Sequence, residues 1–132
     1  MKALILSFFA SLLILPVTDA AAQTAYTQAQ IDAAEACDDG RDLAEGESLL
    51  CTCKARGFDR FIWGTGPYSG HSDICTAARH AGIITKDAGG AVVALGRPGQ
   101  KRYPEGEANG SKGRSWLSFR SSFDVVPARG AA

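Results

Sequence analysis

Apolar positions recur along this chain with different periods, and each period predicts a different element. From Ile74 they fall at Ile74, Ala77, Ala78 and Ala81, the i, i+3, i+4, i+7 spacing of one helical face. Ser72 and Asp73 precede this run as N-cap residues and Gly82 follows it as a C′ residue, so a helix is predicted from Ser72 to Ala81. A face made almost wholly of alanine lets a neighbour approach closely. Thr76, Arg79 and His80 point roughly the other way. Ala91 to Leu95 is apolar at every position, which predicts a strand covered on both faces and therefore central in a sheet. From Leu117 the pattern alternates. Leu117, Phe119, Phe123 and Val125 fall on one side, with Ser121 among them, and Ser118, Arg120, Ser122 and Asp124 on the other. That is a half-buried strand.

Turn residues punctuate the rest. Gly64 to Gly70 holds three glycines and Pro67, which predicts a loop after a short strand, Arg60-Phe61-Ile62-Trp63, whose Trp63 is expected in the core. Ala88-Gly89-Gly90 is a turn. Arg97-Pro98-Gly99-Gln100 fits a type II turn, with Lys101-Arg102-Tyr103 as its return strand. Pro104 to Gly113 reads as a polar loop with an Asn109-Gly110 turn signal. The polar, Ala-rich lead-in (23–36) predicts either a short helix from about Gln28 or a flexible segment, and 127–132 a loose tail. No internal repeat is visible.

The apolar pattern at the N-terminus has a different meaning. Met1-Lys2 is a short basic start, Ala3 to Leu15 is an apolar run of about 13 residues, and Ala20-Ala21-Ala22 offers small residues for cleavage. The run is shorter than the ~20 residues a spanning helix needs, so residues 1–22 are expected to be a secretory signal peptide. Secretion or a periplasmic location follows, with no membrane span in the mature chain. Removing 22 of 132 residues leaves 110, enough for one domain. The full chain balances 14 Lys+Arg against 14 Asp+Glu, which removes the basic excess expected of a nucleic-acid binder. Fifteen glycines imply many turns and a small core, where cross-links offset the entropy lost on folding.

Four cysteines in an oxidising compartment predict two disulfides. Cys51 and Cys53 are too close in sequence to pair comfortably. Two pairings remain, 37–51 with 53–75 or 37–53 with 51–75. A metal site drawn from Cys51, Cys53, His71, Cys75 and His80 is the sharper alternative, but Cys-x-Cys spacing is poor for a zinc knuckle. A Cys75/His80 nucleophile pair lacks a group to orient the imidazole. Gly64-x-Gly66-x-x-x-Gly70 imitates a dinucleotide fingerprint, yet Pro67 interrupts it and the chain has no room for the remaining units. The expectation is no cofactor and no metal. With no paired carboxylates, triad or nucleophile elbow, it is also no enzyme.

One set of motifs is more specific. WGTGPYSGHSDICTAARHAGII (63–84) is followed by GGAVVAL (89–95), PGQKRY (98–103), Asn109-Gly110 and SFRSSFDV (118–125). This order resembles the LCCL domain over about 37–126, with Ser72 to Gly82 as the most specific stretch. The sequence departs from the family pattern at Asp73, where serine is usual, and at Cys51-Thr52-Cys53. The resemblance implies an α+β fold in which one central helix packs against antiparallel strands. It implies the pairing Cys37–Cys51 and Cys53–Cys75, and a structural, hydrogen-bonding role for His80. It also implies a single-domain secreted binding or adhesion module, like the bacterial members, with lipopolysaccharide as the expected ligand.

Charge suggests where such a ligand would sit. Residues 23–60 carry 8 acidic and 4 basic side chains, whereas 61–132 carry 5 acidic and 9 basic. Arg97, Lys101, Arg102 and Tyr103 flank one turn and are the candidate binding residues. Lys112 and Arg114 precede Trp116. A basic rim bordered by aromatics suits an anionic glycolipid or glycan. The runner-up is a structural envelope protein that acts through protein–protein contacts.

Overall fold

A computed structural model describes residues 25–129. The expected signal peptide lies outside the described residues. The all-apolar stretch becomes the middle of the longest strand, β4 (Gly90–Pro98). Its two edges are taken by β1 (Ser48–Cys53) and β7 (Ser121–Pro127), and β3 (Tyr68–Ser69) closes the other side of β7. All three pairings are antiparallel, in the order β1-β4-β7-β3. Val92 and Ala94 are fully buried in this central strand, as two-sided coverage requires. A smaller sheet joins β2 (Ile62–Trp63), β6 (Ser111–Arg114) and β5 (Gly106–Ala108), with β2 parallel to β6 and β5 antiparallel to it. A short helix, α1 (Gln28–Asp32), starts at a Thr27–Gln30 capping box. The fold is thus α+β, with mostly antiparallel strands and two disulfides.

The predicted helix is α2 (Ile74–His80), shorter than Ser72 to Ala81 because Asp73 and Ala81 are its caps. The Asp73 carboxylate accepts from the Thr76 N–H at 2.9 Å. Gly82 ends the helix at φ +76°, with Ile83 N–H donating to Ala78 and Gly82 N–H to Arg79, a Schellman pair that favours glycine at C′. Ile74, Ala77 and Ala78 are fully buried in the main core with Phe123, Tyr68 and Ile62. The opposite face is buried too, which periodicity did not indicate. Arg79 donates to Asp59 at 2.8 Å and to the Phe58 carbonyl at 3.1 Å. His80 Nε2 meets the Gly106 carbonyl and its Nδ1 meets the Tyr68 hydroxyl, each at 2.9 Å. A carbonyl only accepts, so Nε2 carries the proton and Nδ1 accepts from Tyr68. Polar side chains alone would not announce a second covered face. The 57–61 loop and the β5–β6 hairpin create it by supplying the partners. Burial pushes the Tyr68 phenol up to about 12, with the charge of Asp124 adding to the effect.

Three expected elements change. Lys101–Tyr103 is not the return strand of β4, because β1 and β7 already occupy both edges of that strand. Pro98 lies within β4 opposite Ser121, and Gly99 is needed for room rather than for a type II turn. A Cβ there would collide with the Phe119 carbonyl. The hairpin instead lies at Asn109-Gly110, both with positive φ, between β5 and β6. The alternating strand begins at Ser121, not Leu117, and Leu117 is 73% exposed. At the far end β7 takes in Pro127, and the Arg129 carbonyl accepts from Tyr26 at 3.0 Å.

Candidate functional site

The loop carrying the sequence candidates is fixed from beneath. Tyr103 is fully buried and bridges Trp116 through both backbone groups, N–H to O at 2.9 Å and 3.0 Å. Its hydroxyl accepts from the Gln100 N–H at 3.0 Å and meets the Ser122 hydroxyl. Tyr103 therefore shapes the loop and offers no side-chain surface to a ligand. Arg97 directs its Nε at Asp124, 2.9 Å away, on the exposed side of the sheet. Lys101 and Arg102 are exposed and make no ion pair among the described residues. The four candidates thus separate into two free cations, one paired cation and one internal support.

The Tyr103–Trp116 bridge brings a second group of residues beside the basic loop. Arg102, Pro104, Ser115, Trp116 and Leu117, with the fully buried Tyr103, line a shallow groove of about 460 Å³. Trp116 is 45% exposed and its ring meets Trp63 edge-on at 5.7 Å. Trp63 is half-buried, not core, and stacks on His71 at 4.0 Å. Phe119 approaches His71 from another side at 4.2 Å. Phe61 adds an exposed ring 6.1 Å from Trp63, with the Arg114 guanidinium 4.0 Å above it. The result is a continuous aromatic surface edged by Arg102, Arg114 and Arg120. Large apolar groups gathered on a surface and rimmed by polar ones mark interaction sites.

Sequence reasoning missed most of this surface. Alternation assigned Leu117 and Phe119 to an inward strand face, whereas 115–120 is irregular and turns those side chains toward His71 and solvent. The usable signal was the apolar pair Trp116-Leu117 isolated between polar residues and two arginines.

His71 is the titratable group within the aromatic cluster. Its Nδ1 lies 3.0 Å from the Ser69 hydroxyl, and its Nε2 has no hydrogen-bond partner among the described residues. Burial lowers its pKa below the ordinary histidine value, the Arg41 charge lowers it further, and Asp39 opposes both. The folded state thus favours the neutral ring. Stability is full above the unfolded histidine pKa of about 6.5 and falls as pH drops through it, because the unfolded chain binds the proton first. An NMR titration is expected to give His71 a midpoint below that value. A His71→Phe variant is expected to lose part of the drop in thermal midpoint between about pH 7.5 and 5.5.

The cysteines leave no thiol chemistry. Cys37 is bonded to Cys51 and Cys53 to Cys75, with Cα separations of 4.9 Å and 5.6 Å, the pairing the family resemblance implies. The sulfurs of Cys37, Cys53 and Cys75 lie within 4.8 Å of one another, close enough for a metal, yet all are held in bridges. Zinc is held by thiolates, not by disulfide sulfur. Cys75 has no free thiol to act as nucleophile, and both ring nitrogens of His80 are engaged in structural bonds. Gly64–Gly70 contains strand β3, which pairs with β7, so the stretch is not a phosphate loop running from a strand directly into a helix.

Comparison with known proteins agrees with this architecture. The family model of the LCCL domain matches residues 23–123. Vitrin of Mus musculus is 34% identical over 74 residues, which are 54% of this chain and 11% of that protein. The chain therefore spans about a tenth of the length of that relative.

Proposed function

The chain belongs to the LCCL domain family, and from that premise we propose that it is a non-catalytic secreted or periplasmic module that recognises lipopolysaccharide or another anionic surface glycan. The observation that carries this reading is the groove between the basic loop and the aromatic surface, where Arg102 faces Trp116 and Leu117. An anionic glycolipid carries phosphate, sugar and acyl chain together. Lys101 and Arg102 would meet the phosphate, Trp116 the sugar face, and Leu117 the acyl chain. Aromatic and basic side chains side by side suit such a mixed ligand better than either type alone. Among the described residues no helix is long and apolar enough to cross a membrane.

The test is affinity for lipopolysaccharide vesicles at low and physiological salt. A Lys101→Glu, Arg102→Glu double variant is expected to bind about tenfold or more weakly at low salt, since each basic residue near an anionic surface contributes about 1 kcal/mol. Trp116→Ala is expected to weaken binding at both salt concentrations. Binding unchanged in both variants overturns this site. Salt-insensitive capture of one envelope protein, with no glycolipid affinity, favours the structural reading instead.

A further inference from the structure

A second cleft lies away from the Trp116 groove, on the side of the molecule where β1 leads into the 54–60 loop. It measures about 480 Å³ and is walled by Cys37, Cys75 and Ala55, with Lys54, Arg56 and Arg60 around it. Residues 23–60 are the acidic part of the chain, with 8 carboxylates and only 4 cations. Three of those four cations gather at this one cleft. None of the three makes an ion pair among the described residues. Arg79, which also lines the cleft, is paired with Asp59 at 2.8 Å. Asp73 is the carboxylate of the lining, and its Oδ2 accepts from the Thr76 N–H at 2.9 Å and hydroxyl at 2.7 Å. The cleft therefore keeps a net positive charge.

The cation-bearing loop is held at three points. Arg56 N–H donates to the Lys86 carbonyl at 2.6 Å, the Phe58 carbonyl accepts from Arg79 at 3.1 Å, and Arg60 N–H donates to the Thr76 hydroxyl at 2.8 Å. Arg56 has φ +59°, a conformation glycine enters freely and arginine only against steric resistance. Strained backbone of this kind persists where the surroundings impose it, and it clusters at functional sites. Beside the cations Phe58 is 91% exposed, a ring with an open face at the mouth of the cleft.

We infer that this cleft binds a sugar residue carrying a sulfate or phosphate ester. Guanidinium groups match the oxygens of a tetrahedral anion, and Lys54 adds a point charge. The Phe58 ring gives the sugar an apolar face to lie on. Because the loop is already ordered, little conformational entropy is lost on binding. The ligand class rests on the reading of an anionic-glycan module, but the site shares no residue with the Trp116 groove, so failure of one site is distinguishable from failure of the other.

The experiment is an NMR titration of the oxidised chain with four probes: a sulfated disaccharide, its unsulfated form, glucose 6-phosphate and inorganic sulfate. Saturable shifts at Lys54–Arg60 with the esterified sugars, and none with the unsulfated sugar, are expected. The sulfated disaccharide and glucose 6-phosphate arms separate the two ester types. An Arg56→Gln, Arg60→Gln variant is expected to bind about tenfold more weakly, whereas Lys101→Glu, Arg102→Glu leaves this affinity within about twofold. Lys54→Glu serves as a second variant should the first not fold, with an equal or larger loss expected. Inorganic sulfate binding as tightly as the esterified sugars overturns the sugar specificity. Shifts absent from 54–60, or affinity unchanged in the cleft variants, overturn the site.

Discussion

Replacing Cys53 and Cys75 together with alanine lowers the free energy of unfolding by about 3 kcal/mol, within the roughly 2–5 kcal/mol seen when a native bridge is removed from a small domain. The bridge closes a separation of 22 residues and ties the end of β1 to the start of α2. In the unfolded chain it restricts that loop, so its removal returns entropy to the unfolded state. Cys37–Cys51 spans 14 residues, and its removal should cost less. Thermal unfolding of the oxidised chain checks this directly, with a fall in midpoint of about 10–20 °C for a domain of this size. A fall of only a degree or two would mean that packing alone holds β1 and α2 together.

The second large effect belongs to Phe123. Phe123→Ala is expected to cost about 3–5 kcal/mol, the usual loss for a large aromatic in a closed core. Its ring is fully buried and lies 5.8 Å from the Tyr68 ring. Phe123 stands opposite Gly96 on β4 and opposite Tyr68 on β3, so it joins three strands. Gly40 has no room for a Cβ because the Phe123 ring occupies that space at 2.5 Å. Few neighbours can collapse into the cavity, since the acidic segment and two strands close around it. Phe123→Leu keeps most of the apolar volume and should cost less than about 1.5 kcal/mol. Denaturant unfolding of the two variants measures both values. Equal losses would mean that apolar volume alone does not satisfy this site and that the core requires the ring's particular shape.

The sequence was most readable where local chemistry and tertiary packing agree. The Asp73 cap, the alanine face, Gly82 and the Asn109-Gly110 turn all act within a few residues, and each appears where its side chain predicts. The two-sided apolar run from Ala91 to Leu95 also identified the central strand, because nothing but burial on both faces explains it. What failed depended on distant partners. Arg97–Tyr103 resembles a hairpin turn locally, but β1 and β7 compete for both edges of β4 and win. Thr76, Arg79 and His80 are polar, yet they are buried by a loop and a hairpin that supply their hydrogen bonds. Of the candidate binding residues that charge suggested, Lys101 and Arg102 lie exposed without an ion pair among the described residues, while Arg97 is paired with Asp124. Tyr103 could not be distinguished from a surface aromatic, since its hydroxyl partners lie about 20 residues away on β7. Trp63 and Leu117 were misplaced for the same reason. Periodicity reports which residues favour burial, and aromatic groups clustered at a surface carry the same signature as a core.

The most direct measurement is an amide-by-amide NMR titration of the oxidised chain with lipopolysaccharide at physiological salt. Saturable shifts centred on Lys101–Arg102 and Ser115–Leu117, lost in the Lys101→Glu, Arg102→Glu variant, are the predicted result. Shifts absent from that surface, with the fold intact, would contradict a glycolipid-recognition module built on the Trp116 groove.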